Sequence, residues 1–313
     1  MVENWIPYKL EIVEQKVQVL WLDLQDRFVE EPFFDETIYN NRIAMSQRSV
    51  LVSVSDLQVL CDWASGIDRL EPSAFIFHVS RCGSTLLSQC LVADRKNIVI
   101  AEAPLLEEVL HIDEALLISQ GISREYLFKA VLTLLGQRRQ GQRQLFIKLD
   151  SWHLHSYDLL RQWFPTTPFY FISREPKAIV RSHQRRRGIQ MIPGYLSDRT
   201  TPLKVQDKHY QDFSLFTADV LIGFYNQLSD IKSLNNPLDG FFDYKDTVEK
   251  MIVHFHKHCG IQPISLDILL KRTLNHSKYP EQVFRNEEEE WIDFPYQACL
   301  DSYLKFSQLS QCH

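Results

Sequence analysis

Two stretches of this sequence carry residues whose types and spacing suit an anionic ligand. The first is FIFHVSRCGSTLLSQC, Phe75 to Cys90: an apolar strand, a turn of small residues, then the opening of a helix. A helix that starts after such a turn presents unpaired N–H groups and the positive end of its dipole, which favour phosphate or sulfate. Arg81 adds a cation two residues before Gly83, and Ser84 and Thr85 add hydroxyls. A nucleotide-kinase loop would need a glycine at position 78 and a lysine at position 84. This chain has His78 and Ser84 there. A cysteine-phosphatase loop built on Cys82 would need an arginine where Ser88 stands. The second stretch, PFYFISREPKAIVRSHQRRRG, repeats the logic with Arg174 at the end of an apolar run, Pro176 where a helix should begin, and Ser182 eight residues after Arg174. An arginine fork plus a hydroxyl suits a phosphate, and two helical turns separate them, so both reach one ligand only if the helix packs beside the strand tip.

Parallel strands with crossover helices would place both stretches correctly. Short apolar runs at 74–79, 97–101, 144–149 and 168–173 alternate with helical patterns at 84–93, 104–111, 123–139, 153–164 and 175–187. This predicts a three-layer α/β fold of P-loop type, with a central parallel sheet flanked by helices. Before it, WIPYKLEIVEQKVQVLWLDL reads as a β-hairpin, and residues 35–48 and 55–64 read as helices capped by Asp35 and Ser55. Residues 1–70 are thus expected to form an N-terminal extension packed on a core of residues 71–313. The C-terminal part is expected to be helical at 209–230, 246–259 and 265–273, and DGFFDYKD can add one strand. A polar, turn-rich loop at 188–209 is a place for function.

The 313 residues, 45% of them hydrophobic, are enough for one large core. A net charge of −6 argues against a broad nucleic-acid or anionic-membrane surface, so no nucleic-acid or membrane partner is expected. No apolar run reaches membrane-spanning length and the N-terminus lacks the pattern of a signal peptide, which predicts a cytoplasmic protein. Six scattered cysteines without a CxxC pair fit reduced thiols, not a disulfide framework or zinc site.

With both phosphate stretches read, the chain resembles the sulfotransferases that use 3′-phosphoadenosine 5′-phosphosulfate (PAPS), with adenosine 3′,5′-bisphosphate (PAP) as product. SRCGSTLL, Ser80 to Leu87, is similar to the family's loop for the 5′-phosphosulfate, and Arg174, Glu175, Pro176 and Ser182 to its 3′-phosphate motif, with Glu replacing the usual Asp. FFDYKDT resembles a further strand end of the family, and HSKYPEQVFR a C-terminal basic segment that closes over the nucleotide. The resemblance covers about residues 74 to 290. It implies donor contacts from Ser80, Arg81, Cys82, Gly83, Ser84, Thr85, Leu86, Arg174, Ser182, Tyr244, Lys278 and Arg285, with Tyr244 stacking on adenine and no metal required.

Sulfuryl transfer builds negative charge on the bridging oxygen. Arg81, the loop N–H groups and the helix dipole would stabilise that charge. The resemblance adds Lys148 as a second cation. It also implies a base: in one branch of the family a histidine two residues after the lysine, here Asp150, and in the carbohydrate branch a glutamate, here Glu102. Glu102 is the expected base, with Asp150 and then His153 in reserve. The expected acceptor is a small molecule, and similar stand-alone bacterial enzymes tailor natural products such as guanidinium alkaloids of the saxitoxin type. A P-loop kinase or a non-catalytic nucleotide-binding module are the alternatives. The histidines of HFHKHC, at 254–259, lack an acidic third ligand for a metal.

Overall fold

The computed structural model describes residues 3–196, 201–245, 247–262 and 294–309. Its strands are β1 (Trp5–Val13), β2 (Lys16–Asp23), β3 (Val54–Asp56), β4 (Pro72–His78), β5 (Asn97–Ala101), β6 (Gln144–Lys148), β7 (Phe169–Ser173) and β8 (Asp239–Asp243). Its helices are α1 (Phe34–Ser46), α2 (Leu57–Ser65), α3 (Ser84–Val92), α4 (Pro104–His111), α5 (Glu114–Ser119), α6 (Arg124–Leu135), α7 (Tyr157–Trp163), α8 (Pro176–Arg185), α9 (Asp207–Gln211), α10 (Phe213–Ser233), α11 (Val248–Cys259) and α12 (Gln297–Gln308). The fold is α/β: helices flank a parallel sheet of order β5-β6-β4-β7-β8, and β1, β2 and β3 form a separate antiparallel sheet. Among the described residues no helix is long and apolar enough to cross a membrane.

The chain divides into two compact units, residues 1–73 with 88–148 and residues 74–87 with 149 onward. In the first unit the hairpin pairs Trp5 with Asp23 through Val13 with Lys16. Glu14 and Gln15 turn it with φ of 49° and 63°. The short β3 joins its other edge, pairing Gln18 with Asp56 and Leu20 with Val54. No alternation long enough to read as a strand marks these three residues in the sequence. The β3 pairing also corrects the cap of α2. Ser55 lies in the strand, where its hydroxyl accepts from the Trp21 indole at 2.8 Å, and Asp56 instead caps the helix by accepting from Val59 N at 2.9 Å. Likewise α1 begins earlier than expected, with Phe33 at the cap and Asp35 inside the first turn, where its charge complements the helix dipole.

The β5–β6 pair is parallel and in register from Asn97 with Gln144 to Ala101 with Lys148. In the second unit β4 pairs with β7 and β7 with β8, so that Phe77, Phe171 and Phe241 stand side by side. Their rings stack, with centroids 4.8 Å apart for the first pair and 4.9 Å for the second. Cross-strand aromatic pairs of this kind contribute roughly 0.2–1 kcal/mol each, and a slip of one residue would turn every ring to the other face. The ladder therefore sets where the three strands end. Val79 N still donates to Ile172 O, and Tyr244 N to Ser173 O, which brings residues 79–80, 173–174 and 243–244 to one edge. In an open parallel sheet the carboxyl ends of the strands are where ligands bind.

Candidate active site

In the second unit, β4 ends at His78, and the chain crosses to α3 through a loop that is left-handed at Ser80, Arg81 and Gly83, with φ of 72°, 51° and 83°. Turns of this kind aim backbone N–H groups into a concavity that suits an anion. Non-glycine residues held left-handed cost about 1–2 kcal/mol each, so the loop needs external support. Ser80 N donates to His78 Nδ1 at 3.0 Å, and Arg174 Nη1 donates to Arg81 O at 3.1 Å. The Arg81 guanidinium in turn donates to Arg186 O, just past the end of α8. Gly83 is required twice over. Its φ is positive, and a Cβ there would lie 2.8 Å from Cε2 of Tyr244. Cys82 and Ser84 are buried, while Thr85 and Leu86 are half-buried in the first turn of α3.

Arg174 follows β7 and Tyr244 follows β8. The guanidinium lies 5.5 Å from the centre of the Tyr244 ring, and Tyr225 of α10 donates its hydroxyl to Arg174 O at 2.6 Å. Burial pushes the Tyr244 phenol up, against the pull of Arg174, so it stays a neutral hydroxyl. Glu175 caps α8, accepting from Ala178 N at 2.8 Å and Lys177 N at 3.3 Å, the service an aspartate would give at that place. Ser182 is half-buried two turns further along α8. The loop, Arg174, Ser182 and Tyr244 thus belong to one unit, as the phosphate reading needs. Lys278 and Arg285 lie outside the described residues.

In the first unit, Glu102 and Lys148 sit at the ends of β5 and β6. Glu102 N donates to Lys148 O at 2.7 Å, and φ of 55° at Glu102 ends the strand. Their side chains form an ion pair in which Lys148 is wholly buried and Glu102 keeps 20% of its side chain exposed. The Phe33 ring lies 5.4 Å from Lys148 Nζ. Asp35, two residues on, has its carboxyl pushed up by partial burial and by the negative charge of Glu102. Asp150 and His153, in the second unit, bind each other as a capping box. The Asp150 side chain accepts from the backbone of His153, and His153 Nδ1 accepts from Asp150 N at 3.2 Å. This box fixes the start of a short 3-10 helix.

Two residues of the site, His183 and Gln190, carried no signal in the sequence, and a third showed only as a departure from the kinase loop. His78 occupies the place of a missing kinase glycine and supports the left-handed turn. His183 lies at hydrogen-bond distance from Ser80, 103 positions away, and Gln190 is 110 positions away. Among the described residues no cluster of histidine, cysteine, aspartate or glutamate could hold a metal ion. His254 and His258 instead meet Tyr170 OH at 3.0 Å and Leu238 O at 3.1 Å.

No family model matches the sequence, and no curated protein matches it. Among solved structures the chain is similar to the sulfotransferase STF1 of Mycobacterium tuberculosis H37Rv in its type 1 crystal form. Identity is 9% and the TM-score 0.45, over 77% of this chain and 78% of that one.

Proposed function

We propose that the chain is a PAPS-dependent sulfotransferase that moves a sulfuryl group to a hydroxyl or amine of a small molecule and releases PAP. The observation that carries this reading is the joining of the two phosphate stretches: Arg174 donates to the carbonyl of Arg81, inside the left-handed loop. Arg174 uses one of five N–H groups in that bond, which leaves a fork for a phosphate. Tyr244, packed against Gly83 and Arg174, offers an aromatic face for a purine.

On this reading the acceptor oxygen or nitrogen forms a bond to sulfur as the bond from sulfur to the bridging oxygen breaks. The electron pair stays on that oxygen, which becomes part of the 5′-phosphate of PAP. Arg81, the loop N–H groups and the N-terminus of α3 stabilise the growing charge. Glu102 accepts the acceptor's proton, its side chain partly exposed and held beside Lys148. The resemblance assigns Lys148 to the leaving oxygen. A natural product, including a guanidinium alkaloid, belongs to the range of acceptors.

The test is a metabolite panel incubated with PAPS and read by mass spectrometry. The expected result is one acceptor gaining a single sulfuryl group with stoichiometric PAP, a reaction that Glu102→Gln abolishes. Gain of a phosphoryl group from ATP by the same panel would overturn the proposal in favour of a kinase.

A further inference from the structure

We propose that the hydroxyl of Ser80 is an obligate hydrogen-bond donor to the anion on the loop, and that His183 and Gln190 are the positioning residues that make it so. The inference rests on the reading of this loop as an anion site and adds residues outside the phosphate motifs.

The argument is a count of donors and acceptors. Gly188 N donates to His183 Nδ1 at 3.1 Å. A backbone N–H can only donate, so Nδ1 carries no proton and neutral His183 holds its proton on Nε2. His183 Nε2 lies 3.2 Å from Ser80 Oγ, and with the tautomer fixed the imidazole is the donor in that contact. The Gln190 amide donates to the same oxygen from Nε2 at 3.0 Å. A serine hydroxyl accepts twice and donates once. Both acceptances are taken, so the Ser80 proton must point at a third group.

That third group is the ligand. Ser80 is left-handed and only 6% exposed, and His183 is 1% exposed, so bulk water is a poor substitute partner. Ser80 N is also committed, to His78 Nδ1. The residue is thus fixed in backbone, side chain and proton direction before any ligand arrives, and such preorganisation is what electrostatic stabilisation of an anion requires. The arrangement explains why a histidine is buried in an arginine-rich helix. It holds the turn at Gly188 with one nitrogen and orients a hydroxyl 103 positions away with the other.

The experiment has two arms. Nitrogen-15 NMR of the ring of His183, in the protein without ligand, should show Nε2 protonated and Nδ1 bare at neutral pH. The opposite tautomer, or a charged ring, would overturn the count without reference to any ligand. In the second arm, PAP affinity is measured by calorimetry for Ser80→Ala, His183→Leu, His183→Gln, Gln190→Leu and the double variant Ser80→Ala with His183→Leu. Loss of a hydrogen bond to a charged group should weaken binding roughly 10-fold or more in Ser80→Ala. His183→Leu should lose a similar factor, and His183→Gln, which keeps an amide donor, should recover part of it. The double variant should bind about as well as Ser80→Ala alone, a coupling that a merely structural role for His183 would not produce. Additive losses, or tighter binding in Gln190→Leu, would overturn the proposal. If the wild type binds ATP and not PAP, the sulfotransferase reading fails and the same cycle is read on ATP. Binding of neither nucleotide would overturn both.

Discussion

Replacing Glu102 by glutamine separates the chemistry assigned to this carboxylate from its structural partnership. Lys148 has no exposed side-chain surface, and its ion-pair partner is Glu102. Removing one member of a buried ion pair leaves the other charge uncompensated, at a cost of about 3–5 kcal/mol. The glutamine oxygen can still accept from the ammonium and the Phe33 ring remains over Nζ, so the expected cost lies near the lower end, about 3 kcal/mol. Hydrogen exchange of the β5–β6 amides reads this locally. The Glu102 amide, bonded to Lys148 O, should exchange roughly 10²-fold faster in Glu102→Gln, if it opens through the same unit in both proteins. The double variant Glu102→Gln with Lys148→Met should regain most of that protection, because the buried charge is gone, yet stay inactive. Exchange within a factor of two of wild type in the single variant, or a double variant losing the sum of two single effects, would refute the reasoning.

Three further outcomes follow from the same geometry. Gly83→Ala meets both a positive φ and the Tyr244 ring, so PAP affinity should fall at least 10-fold, and Tyr244→Ala in the same chain should not restore it, because relief of the clash comes with loss of the purine's aromatic face; calorimetry of the two variants checks this. Arg174→Lys keeps the charge but loses the fork that spans Arg81 O and the phosphate, and its PAP affinity should drop by a similar factor with a smaller loss of salt dependence than in Arg174→Ala. Glu108 accepts from Leu10 N at 2.6 Å, and burial holds its carboxyl above the ordinary 4.5. A raised carboxyl binds its proton more tightly in the folded state, so its contribution is full below 4.5 and is lost as pH rises through the folded value. Protection of the Leu10 amide should therefore fall with rising pH over that window, and Glu108→Gln should remove the dependence.

The sequence made the parallel strands and the hairpin legible because each carries a short apolar run bounded by turn residues. The strand-turn-helix form of the two stretches was legible because its signals are local: Arg81 and Gly83 in the turn before α3, and Arg174 before the proline-led α8. What escaped is what depends on strand adjacency. Glu102 meets Lys148 because β5 lies beside β6, and Glu102 could as well have been drawn to Arg81 on sequence grounds alone. The reserve bases Asp150 and His153 stand three residues apart, which is also the spacing of a capping box, and the chain forms that box. His183 stands beside Ser182 in the sequence, and nothing within one helix reveals that its ring meets Ser80 in a different loop. The cap of α2 moved by one residue because the short strand β3, too brief for any period, claimed Ser55 first.

Calorimetry of the wild-type protein with PAP, set against ATP with magnesium, tests the central claim most directly. The account predicts saturable PAP binding that needs no metal, is tighter than that of ATP, and is lost in Arg174→Ala. ATP binding that requires magnesium, with no heat from PAP, would contradict it.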